Sequence, residues 1–394
     1  MKTTNWIILR SKDRGTDYGV GTFIKQLSDG LSQQMGIEVF VIEIGTDSLS
    51  EFTIEKKSGV TYFKFPQTNH LKNPNTKTNL SRFAKSIVRV VVPFLPKEQK
   101  TVVHLNFVYQ CFIGEEFKKT MDCYLIFTQH LFIQQSSGVQ SLLDTESLTY
   151  ALVDRIITVT KHGKEHLINK LVDERKIIPI YNGIDPHLFG KKDCEINIRR
   201  KYGIGLDKKI VLYSGRIDHI KGLKYLSLAF SILLKKLPDC RLIIAGNGDY
   251  EELIQNSKTF SSNINYLGFI PFEDLVALYQ EASIGVIPSL EEHCSYVALE
   301  MLFSGLPVVA TCLGGLKEIF IHNENAFLVD TIPDQTNAFG IAPDIDQLAD
   351  YMYNLLTNDQ LRKKFSQNTI IRANEEFTMN TMADKYVATL RNLQ

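Results

Sequence analysis

The feature that most constrains this chain is an alternation of short β-branched runs with stretches of helical periodicity, repeated almost from end to end. In the first half the runs are NWIIL (5–9), EVFVIEI (38–44), VTYFKF (60–65), TVVHLNF (101–107), CYLIFTQ (123–129), RIITVT (155–160) and KIIPIYNG (176–183). In the second half they are KKIVLYSG (208–215), RLIIAGNG (241–248), INYLGFI (264–270), SIGVIPS (283–289), LPVVATC (306–312) and AFLVD (326–330). Several are continuously apolar, as strands buried on both faces of a parallel sheet are, and helical patterns such as 222–237, 271–281 and 295–304 lie between them. The alternation predicts an α/β architecture with right-handed crossovers.

At 394 residues the chain is too long for one ordinary core. A stretch rich in Gly, Pro and charge (182–209), followed by a fresh strand, marks the break. The expected division is a Rossmann-like domain over 1–184, a second over 185–372, and a terminal helix over 373–394 packing back on the first. Two such halves face each other across a cleft, and ligands collect beyond the carboxyl ends of their strands.

Charge and composition exclude several classes. Forty-four basic residues balance 44 acidic ones, so nothing draws the whole chain toward nucleic acid. Six cysteines (Cys111, Cys123, Cys194, Cys240, Cys294, Cys312) form no CxxC pair, which argues against a disulfide framework or structural zinc and suits a reducing cytosol. The N-terminus has too short an apolar run for a signal-peptide core, and nothing approaches the roughly 18 apolar residues of a membrane span. A cytoplasmic protein is the expectation. One region departs from neutrality: between Glu55 and Glu98 there are nine basic residues, from Lys56 to Lys97, and no acidic one. NLSRFAKSIVRVVVPFL (79–95) interleaves bases with apolar residues at helical spacing. That favours a surface helix with a solvated basic face; a peripheral contact of the stretch 56–97 with anionic membrane is the alternative.

Candidate chemistry clusters at strand ends. In SGRIDHIKG (214–222), Arg216 and Lys221 follow a strand and are flanked by glycines, a plausible clamp for a diphosphate in which Arg supplies a planar fork and Lys a point charge. In RSKDRGTDYGVGTF (10–23), Gly19 and Gly21 open the first helix, where glycine permits close backbone approach and helix amides meet an anion. The third glycine of the dinucleotide fingerprint is missing, so NAD is poorly supported. HGKEH (162–166) matches a zincin-like spacing through His162, Glu165 and His166, but interleaved lysines and the want of a third ligand favour a solvated helix face. His130, in FTQHLF (127–132), stands just past a strand end.

The stretch PSLEEHCSYVALEML (288–302) carries three glutamates. Ser295 is a good N-cap for the helix that follows, and Gly305 with Pro307 a good stop. Glu300 lies inside that helix, with Val297, Phe303, Tyr296 and Ser304 at helical spacing and no lysine or arginine to pair it. A carboxylate there needs donors from elsewhere, and ligand hydroxyls would serve. Glu292 occupies the loop before the helix, where it can project toward a ligand; Glu291 is expected on the surface.

Taken together these motifs resemble the retaining glycosyltransferases of family four, which have the GT-B fold. The matching features are NGID (182–185), SGR…KG with Arg216 and Lys221, AGNG (245–248), LGFI (267–270), Glu292-x7-Glu300, GLPVVAT (305–311) and GGLKEI (314–319). Gly19, Gly21, His130 and DRIITVT (154–160) resemble the family's first-domain features. The resemblance implies that Arg216 and Lys221 hold a donor diphosphate, joined by Gly19, Gly21 and the amides of Ser295, Tyr296 and Val297. It implies that Glu300 binds the ribose hydroxyls, Ile270 the base through its backbone, Glu292 the donor sugar, and that His130 lies beside that sugar. The reaction implied is transfer of a sugar from a nucleotide-sugar donor to an acceptor hydroxyl with retention of configuration. A UDP-sugar is expected ahead of a GDP- or ADP-sugar, with no cofactor and, for want of an Asp-x-Asp pair at a strand end, no metal. His293, Cys294 and Ser295 stand where many members have a small residue or proline, an apolar residue and glycine, which bears on the choice of sugar; Cys294 reads as a small space-filler. A sugar-nucleotide epimerase and a non-catalytic partner in glycan assembly are the alternatives.

Overall fold

The computed structural model describes residues 4–11, 19–46, 51–66, 77–132, 140–189 and 197–391. Residues 12–18, Lys72 and Cys194 lie outside the described residues. The chain forms two units, Met1–Gly183 together with Met379–Gln394, and Ile184–Thr378. The return to the first unit therefore begins at Met379, later than the 373 drawn from the sequence.

Unit 1 is built on an eight-stranded sheet of β1 (Thr4–Ser11), β2 (Ile37–Thr46), β3 (Thr53–Lys57), β4 (Val60–Pro66), β5 (Lys100–Leu105), β6 (Tyr124–Gln129), β7 (Arg155–Thr158) and β8 (Ile177–Pro179), in the order 3-4-2-1-5-6-7-8. Every pairing is parallel except β3 with β4. The seven apolar runs read from the first half all lie in strands. The eighth strand, β3, was missed because its TIEKK is short and largely exposed. Its signal is the Ser-Gly pair after it: Ser58 and Gly59 both take positive φ (50° and 80°), as a two-residue hairpin turn demands.

Unit 2 has an all-parallel six-stranded sheet of β9 (Lys209–Ser214), β10 (Cys240–Ala245), β11 (Ile264–Gly268), β12 (Ile284–Ile287), β13 (Val308–Thr311) and β14 (Ala326–Val329), ordered 11-10-9-12-13-14. A two-stranded antiparallel ribbon, β15 (Thr331–Pro333) with β16 (Ile341–Pro343), follows it. Strand order reverses between β1 and β5 in unit 1 and between β9 and β12 in unit 2, the crevices where ligands enter sheets of this kind.

Cores lie between sheets and helices. In unit 1 the basic helix Lys77–Val91 spends its apolar face there: Ala84, Ile87, Val88 and Val91 are buried, whereas Arg82, Lys85 and Arg89 are exposed. The solvated-basic-face reading thus describes this helix, and its apolar side is already occupied. No described helix is long and apolar enough to cross a membrane. The terminal helix Met379–Arg391 packs on helix Gly19–Ser32, burying Met382, Ala383 and Tyr386. In unit 2 the helices Leu223–Lys236 and Ile345–Thr357 cover one side of the sheet through Leu226, Phe230, Leu348 and Met352.

Candidate functional site

In unit 2 the loops that leave β9, β10, β11, β12 and β13 are knitted together at the carboxyl edge of the sheet. Gly215 N donates to Ala245 O (3.0 Å), Ile217 N to Asn247 O (2.9 Å) and Gly246 N to Gly268 O (2.8 Å). Leu290 N donates to Ile220 O (2.7 Å) and Gly315 N to Glu292 O (3.0 Å). Such close approach needs glycine. A Cβ on Gly222 (φ +68°) would meet Pro288 O at 2.0 Å, and one on Gly314 (φ +44°) would meet Glu292 O at 2.2 Å.

This packing carries the chemistry of the site. Lys221 Nζ lies 2.5 Å from Glu292 Oε1, which also accepts from Ser289 Oγ at 3.2 Å. The sequence placed Lys221 and Glu292 against different parts of a ligand; the fold joins them in one ion pair with side chains only 19% and 10% exposed. Arg216, by contrast, is half exposed and pairs with Asp218 at 3.2 Å. Asp218 also accepts from the backbone amide of Lys221, so one carboxylate holds Arg216 and fixes the turn that carries Lys221.

Helix Tyr296–Phe303 begins at Ser295, whose Oγ accepts from Ala298 N at 3.4 Å, and stops at Gly305 with φ +67°. Ser295 and Tyr296 are buried and Val297 is half-buried. Glu300 keeps some surface exposure but is packed densely enough that burial raises its carboxyl to about pKa 7. Its donor is Tyr279, whose hydroxyl bonds Glu300 Oε2 at 2.7 Å and Ser214 Oγ at 2.8 Å. Tyr279 belongs to the site yet carries no sequence signal of it, because it sits on helix Phe272–Glu281, 21 residues from Glu300; Ser214 opens the SGR…KG motif but was given no role there. Ile270 is buried in the loop between β11 and that helix. Glu291, expected on the surface, is half-buried and lies 3.7 Å from His293 Nε2. Cys294 is buried.

Unit 1 carries the remaining candidates. Gly19 and Gly21 open helix Gly19–Ser32, as read from the sequence. His130 follows β6, and its Nε2 lies 3.0 Å from Asn106 Oδ1. Asn106 Nδ2 donates to Leu9 O and Asn106 N to Gln110 Oε1, so Asn106 presents its oxygen and His130 Nε2 carries the proton. The ring of Phe23 meets the imidazole edge-on at 4.6 Å. Asn106, Gln110 and Phe23 were not read from the sequence; Asn106 has the one recoverable signal, its place just after a strand at the switch point. Behind them His104 is fully buried, bonded through Thr128 Oγ1 to Tyr386, and burial pushes its imidazole down to about pKa 3. In the HGKEH segment His166 packs on Phe132 at 4.0 Å and Lys164 pairs with Glu174, and no group of described residues has the makings of a metal site.

Comparison with known proteins agrees with this arrangement. Residues 18–188 match the family model for Glycosyltransferase Family 4, and residues 195–372 that for Glycosyl transferases group 1. An uncharacterized glycosyltransferase of Methanocaldococcus jannaschii is 29% identical over 338 residues, covering 82% of this chain and 84% of that protein. Sucrose-phosphate synthase from Thermosynechococcus elongatus superposes with a TM-score of 0.78 at 20% identity, covering 100% of this chain and 99% of that one. The Anabaena protein HepE, solved in complex with UDP, superposes with a TM-score of 0.74 at 17% identity, covering 99% of this chain and 100% of that one. With both halves matched by the family's models and the fold shared with these solved structures, the chain is a group 1 glycosyltransferase of the family-four type, with the GT-B fold.

Proposed function

We propose that this glycosyltransferase moves a sugar from a nucleotide-sugar donor to an acceptor hydroxyl with retention at the anomeric carbon. The observation that carries the reading is the grouping of Arg216, the Lys221–Glu292 pair and the Glu300–Tyr279–Ser214 chain at the switch point of unit 2. A departing diphosphate gathers negative charge, and cations and helix amides aimed at it in advance lower the barrier without reorganising. Arg216 and Lys221 take that role, with the amides of Ser295, Tyr296 and Val297 at a helix N-terminus. Glu300 accepts from the ribose hydroxyls, Ile270 meets the base through its backbone, and Glu292 meets the sugar hydroxyls. Positive charge drawn from side chains and amides leaves the reaction without need of a metal or cofactor. Glu292 is not assigned as a nucleophile: attack on the same face, assisted by the leaving phosphate, accounts for retention. From unit 1 the reading takes Gly19, Gly21 and His130.

A UDP-sugar is the preferred donor, a choice supported by the UDP bound to HepE. The protein acts in the cytoplasm, and the exposed Arg82, Lys85 and Arg89 suit a peripheral contact with anionic lipid that is purely electrostatic. The test is a thermal-shift series with UDP, GDP, ADP and their sugars, because a ligand bound only by the native state raises Tm. UDP is expected to give the largest shift, and Glu300→Ala to abolish most of it. No shift with any nucleotide, or epimerisation of the donor without an acceptor, would sink the reading.

A further inference from the structure

Behind His130 lies a buried polar chain that none of these roles uses. Thr128 and His130 stand two residues apart at the end of β6, and His104 and Asn106 stand likewise at the end of β5. His104 Nε2 lies 2.7 Å from Thr128 Oγ1, and His130 Nε2 lies 3.0 Å from Asn106 Oδ1. Both bonds join residues 24 apart in sequence, so they are successive rungs of one ladder across two parallel strands. The inner rung is capped by the terminal helix Met379–Arg391, whose Tyr386 hydroxyl lies 2.8 Å from the same Thr128 oxygen. His104, Thr128 and Tyr386 are all fully buried.

Stability alone does not call for this chain. The register partners of His104 are Ile8 on β1 and Ile126 on β6, both fully buried and apolar. Replacing both members of a buried hydrogen bond by apolar groups of the same shape is nearly neutral. What a hydrogen bond adds in a dry interior is a fixed distance and direction. Thr128 serves both neighbours because a hydroxyl donates to one and accepts from the other. Burial pushes the His104 imidazole down to about pKa 3, so the chain puts no charge behind His130. The Phe23 ring ties the two rungs together. Its centroid lies 4.6 Å from that of His130 and 6.1 Å from those of His104 and Tyr386.

We propose that Tyr386 is a positioning residue for His130, and that the terminal helix acts on that imidazole through the Thr128 hydroxyl and the Phe23 ring. The part given to His130 in the reaction rests on the transferase reading above. Asn106 sets the place of His130 Nε2, while the tilt of the ring follows Phe23, which packs in turn on His104 and Tyr386. Releasing Thr128 from Tyr386 lets the inner rung shift, and the outer rung, one alternation further along the same two strands, shifts with it.

Nitrogen-15 NMR of the full-length, histidine-labelled protein at alkaline pH tests this, with the His130 ring signals assigned by their loss in His130→Gln. A proton held on Nε2 gives two well-separated ring signals in the wild type. Tyr386→Phe keeps the ring packing and removes only the hydroxyl. It should at least halve that separation as the proton spreads over both nitrogens, and Thr128→Val should do the same. Thr128→Ser retains a hydroxyl and should keep the wild-type spectrum, a rescue that a merely space-filling role would not give. The Tm shift produced by UDP should be the same in all three, since Arg216, Lys221 and Glu300 lie in unit 2. Unchanged His130 signals in Tyr386→Phe or in Thr128→Val, or signals that move as far in Thr128→Ser as in Thr128→Val, would overturn the proposal. If the His130 signals respond as expected while UDP gives the wild type no shift, the positioning role stands and the donor reading falls.

Discussion

Glu300 shows how a single carboxylate can be held ready at a cost. Its folded pKa of about 7 lies above the ordinary carboxyl value of 4.5, so the native state holds a proton that the unfolded chain releases. Stability is therefore greatest at low pH and is lost as pH rises from 4.5 through 7, by roughly 3 kcal/mol at about 1.4 kcal/mol per pKa unit. Glu300→Gln should raise Tm over the wild type at pH 8, with the gap closing below pH 5, and should weaken UDP binding at least tenfold; a gap independent of pH would refute the burial account. The Lys221–Glu292 pair gives a companion prediction. Lys221→Met leaves Glu292 with Ser289 alone in a largely enclosed place, so removing one partner should destabilise more than removing both, as a double-mutant cycle in urea would read. The sequence disclosed Glu292 and Glu300 through their spacing and the lack of a nearby base. It did not disclose their partners, because Lys221 and Tyr279 meet them only after 71 and 21 residues of chain have folded.

Elements matter here chiefly at their ends. Loop geometry, more than any side chain, seats Lys221 on Glu292, and it hinges on two glycines. Gly222→Ala should cost about 1–2 kcal/mol from the left-handed backbone alone, and its methyl group must also push Pro288 aside. The expected result is a UDP affinity lowered tenfold or more in calorimetry, although residue 222 touches no ligand in the proposed site. Ser295→Ala should cost about 1 kcal/mol by removing the N-cap, with a smaller loss of UDP affinity. The cap and the stop were legible locally, because Ser295 and Gly305 lie within one short run; the Ser58–Gly59 turn is as local but was not read. The knitting of five loops was not, since hydrogen bonds such as Gly246 to Gly268 join separate crossovers.

At the scale of the whole molecule, the terminal helix Met379–Arg391 completes unit 1 although nearly 200 residues of unit 2 intervene. Tyr386 is fully buried, 6.3 Å from the Trp6 ring and bonded to Thr128, while Gly30 leaves room for Ala383. Deleting 379–394 should expose that core and make unit 1 the first to be cut in limited proteolysis, with UDP still protecting unit 2; equal sensitivity of both units would contradict this. The sequence by itself determined the α/β class, thirteen of the strands and the ends of the site helix, because hydrophobic periodicity and capping act over a few residues. Only the tertiary structure decided that Lys221 pairs with Glu292, that Tyr279 serves Glu300, that Asn106 orients His130, and that Arg10, Glu43 and Lys64 align in one row. Those contacts depend on strand register and crossover order, which a local pattern of residues does not encode.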